Sequence, residues 1–336
     1  MPQTIEPDRK KKNMSAATLK KLAELTGVSI RSVNRALHGD SGLSEEKRAM
    51  ILAAAARTGY TPNIAARNLR LQQNNFVGIV IPNTGENNEP SGAAITLRKV
   101  NRLQLELERD GFFTLFGINT GKAEDMRNLL KQWSGLVSSV VIFSWNSLWK
   151  PEEILEKLPL QCIFVDISSD FGHSMIIDRA PGIYDGIRFL LEHGCSRLAR
   201  CGDISTRELG FNAALQDLSG RSIIHRHYRL QSNFEEGFRI GPELIAQHYD
   251  AVFFDTDRMA FGFLKYCWKN GIRIPEDIAV IGFDDEYWDA YSCPSLSTVA
   301  HPTEEMTAAI SGLIRSPKKE RQCLHFKTRF IRRESV

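Results

Sequence analysis

Two arginines and an amide sit close together near the start of one short segment, and side chains of that kind can read a base edge. In SIRSVNRAL (29–37), Val33, Ala36 and Leu37 recur at helical spacing, while Ile30, Arg31, Asn34 and Arg35 fall largely on the other faces. Ser29 can cap this helix, its hydroxyl accepting from a free first-turn N–H. The segment before it, TLKKLAELTG (18–27), repeats the pattern with Leu19, Leu22, Ala23 and Leu25. Thr18 can cap that helix, and Gly27 can end it in a left-handed turn. Two short helices joined at a glycine make a helix-turn-helix, whose second helix presents its N-terminal residues to the major groove. A guanidinium there matches the paired acceptors of guanine. A third helix, capped by Ser44 and running from Glu46 to Arg57, completes a small core before Gly59 and Tyr60. Catalytic constellations are missing by comparison: no GxSxG, HExxH, P-loop or GxGxxG occurs. The adjacent carboxylates Asp284 and Asp285 follow a strand, where neighbours point to opposite faces, so they converge poorly on one substrate.

The elements around these residues fill a chain of 336 residues, long enough for two or three domains. Apolar residues at 42% and charged residues at 25% exclude a fibrous, a mainly disordered or a disulfide-stapled chain. No apolar run reaches the ~18 to 20 residues that span a bilayer. The opening MPQTIEPDRKKKN is charged with no apolar stretch behind it, unlike a secretory signal. Six scattered cysteines without a CxxC fit reduced thiols in the cytoplasm, and no metal site or cofactor is expected. Thirteen of the 43 Lys and Arg, but only six of the 40 Asp and Glu, lie in residues 1–75. That head carries net +7 and the remainder net −4. A basic head on an acidic body suits a polyanionic partner, or else a solvated tail, since Arg9–Lys12 supply four of the charges.

After residue 75 the pattern alternates. Apolar strand-like runs at 76–82, 112–118, 137–144, 162–167, 197–202, 223–230, 251–255 and 278–284 are separated largely by helical stretches such as 93–110, 122–133, 181–193 and 206–217. Continuous apolar strands between helices mean parallel sheets covered on both faces, with a ligand site at the strands' carboxyl ends.

The stretch TLKKLAELTGVSIRSVNRAL and the later PNIAARNL (62–69) resemble the head and hinge of the LacI/GalR family of bacterial transcription regulators. Thr18, Ala23, Gly27, Val28, Ser29, Val33, Arg35, Leu37, Pro62, Asn63, Ala66, Arg67 and Leu69 match the family pattern; Lys21, Thr26, Ser32 and Asn34 depart from it. Ser32 keeps a hydroxyl, whereas Asn34 stands where a backbone-phosphate contact is usual. The resemblance implies DNA contacts from Thr18, Ser29, Ile30, Arg31, Ser32, Asn34 and Arg35, and from Asn63, Ala66, Arg67 and Leu69 of a hinge helix. Pro62 and Asn63 permit a short helix over about 64–70, too short to be stable alone. By resemblance it pairs with its copy in a second subunit, with Leu69 as a wedge between base pairs in the minor groove. Without the resemblance Leu69 reads as a packing residue of a linker.

The implied α/β architecture is a basic extension (1–16), an all-α helix-turn-helix head (17–61), a hinge helix and linker (62–75) and a two-lobed body resembling periplasmic binding proteins (76–336). Crossovers between lobes are expected near 166–174, 292–302 and 316–321. RELGF (207–211) resembles the family's ligand-gripping arginine motif at Arg207, and GFDD (282–285) the strand end whose Asp284 accepts from sugar hydroxyls. Asp257 lies in a third such motif, with Thr256 replacing an asparagine. Trp145 and Trp288 can stack on a sugar, or pack into core or dimer surface. Cys201 stands where a purine-responsive relative has an arginine, which disfavours a purine. The resemblance therefore implies a cytoplasmic, homodimeric regulator, not an enzyme, that binds palindromic operator DNA under control of a sugar-like effector, without a membrane partner. An activator or ligand-independent regulator is the alternative, and an exported solute-binding protein a remote one.

Overall fold

The computed structural model describes residues 18–38, 41–60, 75–83, 93–146, 148–155, 158–217, 222–317 and 320–336. The extension over 1–16, the hinge positions Asn63, Ala66, Arg67 and Leu69, and most of the first body loop lie outside them. The chain divides into two compact units, residues 1–73 and 74–336.

The first unit holds three helices: α1 (Leu19–Thr26), α2 (Ile30–His38) and α3 (Glu45–Thr58). Thr18 caps α1 by accepting from the Lys21 N–H at 3.3 Å, and Gly27 ends it at φ 65°. Ser29 caps α2 by accepting from the Ser32 N–H at 3.1 Å. Ser44 precedes α3 but forms no side-chain cap bond; the acidic first turn, Glu45 and Glu46, complements the helix dipole there. Leu22, Val33, Ala36, Ile51, Ala54 and Ala55 form the buried core, one stripe from each helix.

The second unit runs, in chain order, through β1 (Phe76–Pro82), α4 (Ala93–Arg109), β2 (Phe113–Asn119), α5 (Ala123–Trp133), β3 (Ser139–Ile142), α6 (Pro151–Leu155), β4 (Gln161–Val165) and β5 (His173–Asp178). It continues with α7 (Ala180–Glu192), β6 (Arg197–Cys201), α8 (Glu208–Asp217), β7 (Ile224–Tyr228), α9 (Phe234–Arg239), α10 (Gly241–Ala246), β8 (Ala251–Phe254), α11 (Asp257–Asn270) and β9 (Ala279–Ile281). It closes with β10 (Thr298–Ala300), α12 (Thr303–Arg315), β11 (Cys323–Lys327) and β12 (Arg329–Ile331). Two parallel sheets result, in the orders β11-β5-β4-β3-β1-β2 and β7-β6-β8-β9, with an antiparallel pair β10-β12.

The central strands feed two cores because successive side chains alternate between faces. Ile163 and Val165 of β4 join Val100, Leu103 and Leu107 of α4 and Met306 and Ile310 of α12; Cys162 and Phe164 join Met126, Leu130 and Trp133 of α5 on the other face. The second sheet is clad likewise, by α9–α11 on one side and by α7 and α8 on the other. A Cβ on Gly237 would lie 1.9 Å from the Met259 carbonyl, and one on Gly262 2.0 Å from the Phe234 carbonyl, so α9 and α11 touch backbone to backbone.

The first and last crossings differ from the expectation, whereas the second falls within 292–302. β5 pairs with β4 and β11 inside the first sheet, so the chain leaves that lobe only after Asp178, not over 166–174. It returns between β10 and α12, at His301–Pro302. The last crossing falls at Thr328, not over 316–321, because β11 still belongs to the first sheet. Neither strand announces itself in sequence. β5 has an apolar run of only three, and β11 is an edge strand whose alternate residues are exposed. Thr328 stitches two crossings together: its hydroxyl donates to the carbonyls of Asp178 and Arg179 and accepts from the Gly182 N–H. Among the described residues no helix is long and apolar enough to cross a membrane, and no cluster of potential metal ligands occurs.

Candidate functional site

Arg207 ends a 3-10 turn (Ser205–Arg207) that leads into α8. It is 5% exposed, and its guanidinium carbon lies 3.7 Å over the Phe283 ring centroid. Nε donates to the Asp255 carbonyl at 2.6 Å, and Nη2 donates to Asp284 Oδ1 at 3.2 Å. Behind it the fully buried Arg200 clasps the Asp255 carboxylate through Nε (3.0 Å) and Nη2 (3.1 Å), which fixes the residue whose carbonyl Arg207 grips. Burial lowers the Arg207 pKa, and the nearby Asp284 opposes that shift.

Asp284 follows β9 at φ 122°, and Asp285 follows at φ 54°. Non-glycine residues seldom occupy that region, and such strain tends to gather at functional sites. The turn sends the two carboxylates apart. Asp284 meets Arg207 and His301, whereas Asp285 pairs with Arg333 at 2.6 Å and with Arg98 of α4. Burial raises the Asp284 pKa, and the surrounding cations Arg207, Lys99 and Arg179 pull it back.

His301 sits on the second crossing with Nε2 3.1 Å from Asp284 Oδ1. Burial, with Lys99, Arg207 and Arg179 nearby, pushes its pKa well below the ordinary value, so the ring is neutral. Nε2 then carries the proton that bonds Asp284, and Nδ1 is left as a bare acceptor. That Nδ1 is buried and has no hydrogen-bond partner.

The first lobe adds Lys99, on α4. It is 6% exposed, and burial lowers its pKa to about 8 against the pull of Asp166. Among the described residues its ammonium has neither a hydrogen bond nor an ion pair. Asp166, after β4, is clasped through both oxygens by Arg179, which stands at the first crossing. The Arg179 Nε is buried and unpartnered.

The other expected site residues are placed differently. Asp257 is fully buried at the start of α11, where Oδ1 accepts from Thr298 Oγ1 at 2.6 Å and Oδ2 from the Glu286 N–H at 3.1 Å. It faces Asp289, neither of whose oxygens has an N–H or hydroxyl donor within hydrogen-bond distance. Burial drives the Asp257 pKa far up and that of Asp289 to about 7, so the two carboxyls hold a proton between them. Asp257 thus anchors the loop over 285–291 rather than offering a free carboxylate to a ligand. Trp145 packs edge-on to Trp149 and Phe164 at the margin of the first lobe's core. Trp288 is 65% exposed and lines, with Leu97, Arg98, Asn101, Tyr287 and Tyr291, a groove of about 670 Å³.

In the head, Thr18, Ser29, Ile30 and Arg31 are exposed, and Ser32, Asn34 and Arg35 are half-buried; Val33 and Ala36 are turned into the core. α2 therefore presents Ile30 and Arg31 outward from its first turn.

Lys99, Asp166, Arg179 and His301 escaped the reading of the sequence. Lys99 had a signal: it stands on the spacing of Ile95, Leu103 and Leu107, an apolar stripe where a lysine is out of place.

A family model for bacterial regulatory proteins of the lacI family matches residues 18–63, and one for a periplasmic binding protein-like domain matches residues 187–336. The chain is 27% identical to the probable HTH-type transcriptional repressor ExuR of Bacillus subtilis, over 95% of this chain and 98% of that one. It is 24% identical to the ribose operon repressor of Haemophilus influenzae, over 95% and 98%. Its fold matches the lac repressor dimer bound to operator and the anti-inducer ONPF at a TM-score of 0.76, with 18% identity over 96% of this chain and 99% of that one. The transcriptional regulator CelR in complex with cellobiose gives a TM-score of 0.63 with 23% identity, over 95% and 100%.

Proposed function

We propose that the chain is a DNA-binding transcription regulator of the LacI family, which its head and body both match, and that it represses carbohydrate-related genes as a homodimer on a near-palindromic operator. A small polyhydroxylated ligand in the Arg207–Asp284–His301 cleft sets its grip. The observation that carries this reading is the union, in one chain, of an exposed Ile30–Arg31 helix face with a cleft of buried polar groups, one of which, His301 Nδ1, has no partner. A buried acceptor without a donor costs free energy, and a ligand hydroxyl relieves it. The ribose and cellobiose named for two relatives support a carbohydrate-like ligand.

Base choice falls to Ile30, Arg31 and Arg35, with backbone contacts from Thr18, Ser29, Ser32 and Asn34. Asn63, Ala66, Arg67 and Leu69 act in the hinge. Self-association is supported by the exposed Leu97, Tyr287, Trp288 and Tyr291, which gather around one groove where a second subunit would cover them. Catalysis has no part in this reading, since Asp284 and Asp285 turn to different partners. The protein works in the bacterial cytoplasm, on the nucleoid. Selection of bound sites from random duplex DNA with the purified chain tests the proposal. A two-fold symmetric motif whose affinity falls with salt is expected, and no sequence preference even in dilute buffer refutes it.

A further inference from the structure

We propose that the ligand of this cleft is a polyhydroxylated monocarboxylate, a sugar acid, whose carboxylate is held by Lys99. The inference rests on the cleft being the effector site and adds the class of ligand that it takes.

A lysine that is 6% exposed, with an ammonium unpaired among the described residues, is expensive to keep in a fold. Lys99 acts electrostatically on Asp166, Arg179, Asp284 and Arg207, which places it at the centre of the cleft's charges. Neither carboxylate answers it. Both oxygens of Asp166 are taken by Arg179, and Oδ1 of Asp284 is taken by Arg207 and His301. Among the described residues, three cations, Lys99, Arg179 and Arg207, therefore face two carboxylates, and the positive charge left without an ion pair there is that of Lys99. His301 is neutral and restores no balance. Arg258 also bears on Asp284 but has a partner of its own, so it adds no free charge to the cleft.

The size of the surplus selects the anion. A phosphoryl dianion calls for two free cations or a free guanidinium fork. Here Arg179 is committed to Asp166, and Arg207 to Asp284 and the Asp255 carbonyl. One free ammonium matches one carboxylate. The remaining open valences suit hydroxyls: His301 Nδ1 accepts and Arg179 Nε donates.

The test is calorimetric titration of the full chain with D-glucuronate, D-galacturonate, D-gluconate and D-galactonate, against D-glucose, D-galactose and D-glucose 6-phosphate. Wild type, Lys99→Met and Arg207→Ala are compared, and release of the selected duplex is followed in parallel. At least one acid is expected to bind about 10-fold to 100-fold more tightly than its neutral counterpart, the range of one charge-assisted hydrogen bond. Lys99→Met is expected to erase that preference while leaving duplex binding intact. Equal binding of acid and neutral sugar, tighter binding of the phosphate, or a preference that survives Lys99→Met overturns the proposal. If neutral sugars bind and Arg207→Ala abolishes it, the cleft remains the effector site and only its ligand class is wrong. If nothing in the panel binds, the ligand class and the effector cleft both fall, and duplex binding by the same sample reports on the regulator separately.

Discussion

Replacing Lys99 by methionine is expected to make the unliganded protein more stable. The pKa of Lys99 falls to about 8 from an ordinary 10.5, because burial disfavours the charged form. At about 1.4 kcal/mol per tenfold change in proton affinity, this corresponds to about 3 kcal/mol against the charged ammonium in the fold. Methionine keeps the unbranched stem and removes the charge, on the same stripe as Ile95, Leu103 and Leu107. For a body of this size, 1 kcal/mol moves the melting temperature by about 2 to 4 °C, so the gain is roughly 6 to 12 °C at pH 7. The pH dependence carries the sign. Below pH 8 the lysine is charged in both folded and open chains and its penalty is complete. Between 8 and 10.5 the folded chain sheds the proton first, and the penalty fades. All five tryptophans lie in the body, so their fluorescence on heating follows it without interference from the head. A methionine variant that melts no higher than wild type at pH 7, or whose advantage persists undiminished at pH 10, refutes the account of Lys99 as an unpaired buried charge.

Arg31→Ala is expected to change the motif recovered from random DNA and to cost about 1 to 3 kcal/mol at the affected base pair; an unaltered motif removes Arg31 from base readout. Arg207→Ala opens the buried pair with Asp284 and should abolish the response to ligand while duplex binding persists, and a normal response rejects the cleft assignment. Trp288→Glu places a charge in the exposed aromatic groove and is expected to yield monomers in sedimentation; an unchanged mass excludes that groove from the dimer contact. For Asp289 the folded pKa is raised to about 7, so its stabilising preference for the protonated form is full below about pH 4 and is lost as pH rises through 7. Asp289→Asn keeps a donor facing Asp257 and should flatten the fall in melting temperature between about pH 4 and 7, which an unchanged slope would contradict.

The head was legible in the sequence because its determinants are local. Thr18 and Ser29 bond N–H groups three residues away, Gly27 needs only its own dihedral freedom, and Leu22, Val33 and Ile51 reach the core from plain helical stripes. The strands with long apolar runs were legible for the same reason, each being covered on both faces. Tertiary structure alone decided the crossings, since β5 and β11 acquire strand character only by pairing, β5 with β4 and β11 with β5. It also decided the cleft. Lys99, Asp166, Arg179, Arg207, Asp284 and His301 come from six separate stretches of chain, and whether a charge among them is spent or free depends on which neighbour reaches it. Asp257 and Asp284 looked alike as motif carboxylates. One proved to be shut in with Asp289 and Thr298 and the other turned toward Arg207, because burial and hydrogen-bond partners are properties of the packed chain and not of residue type or spacing.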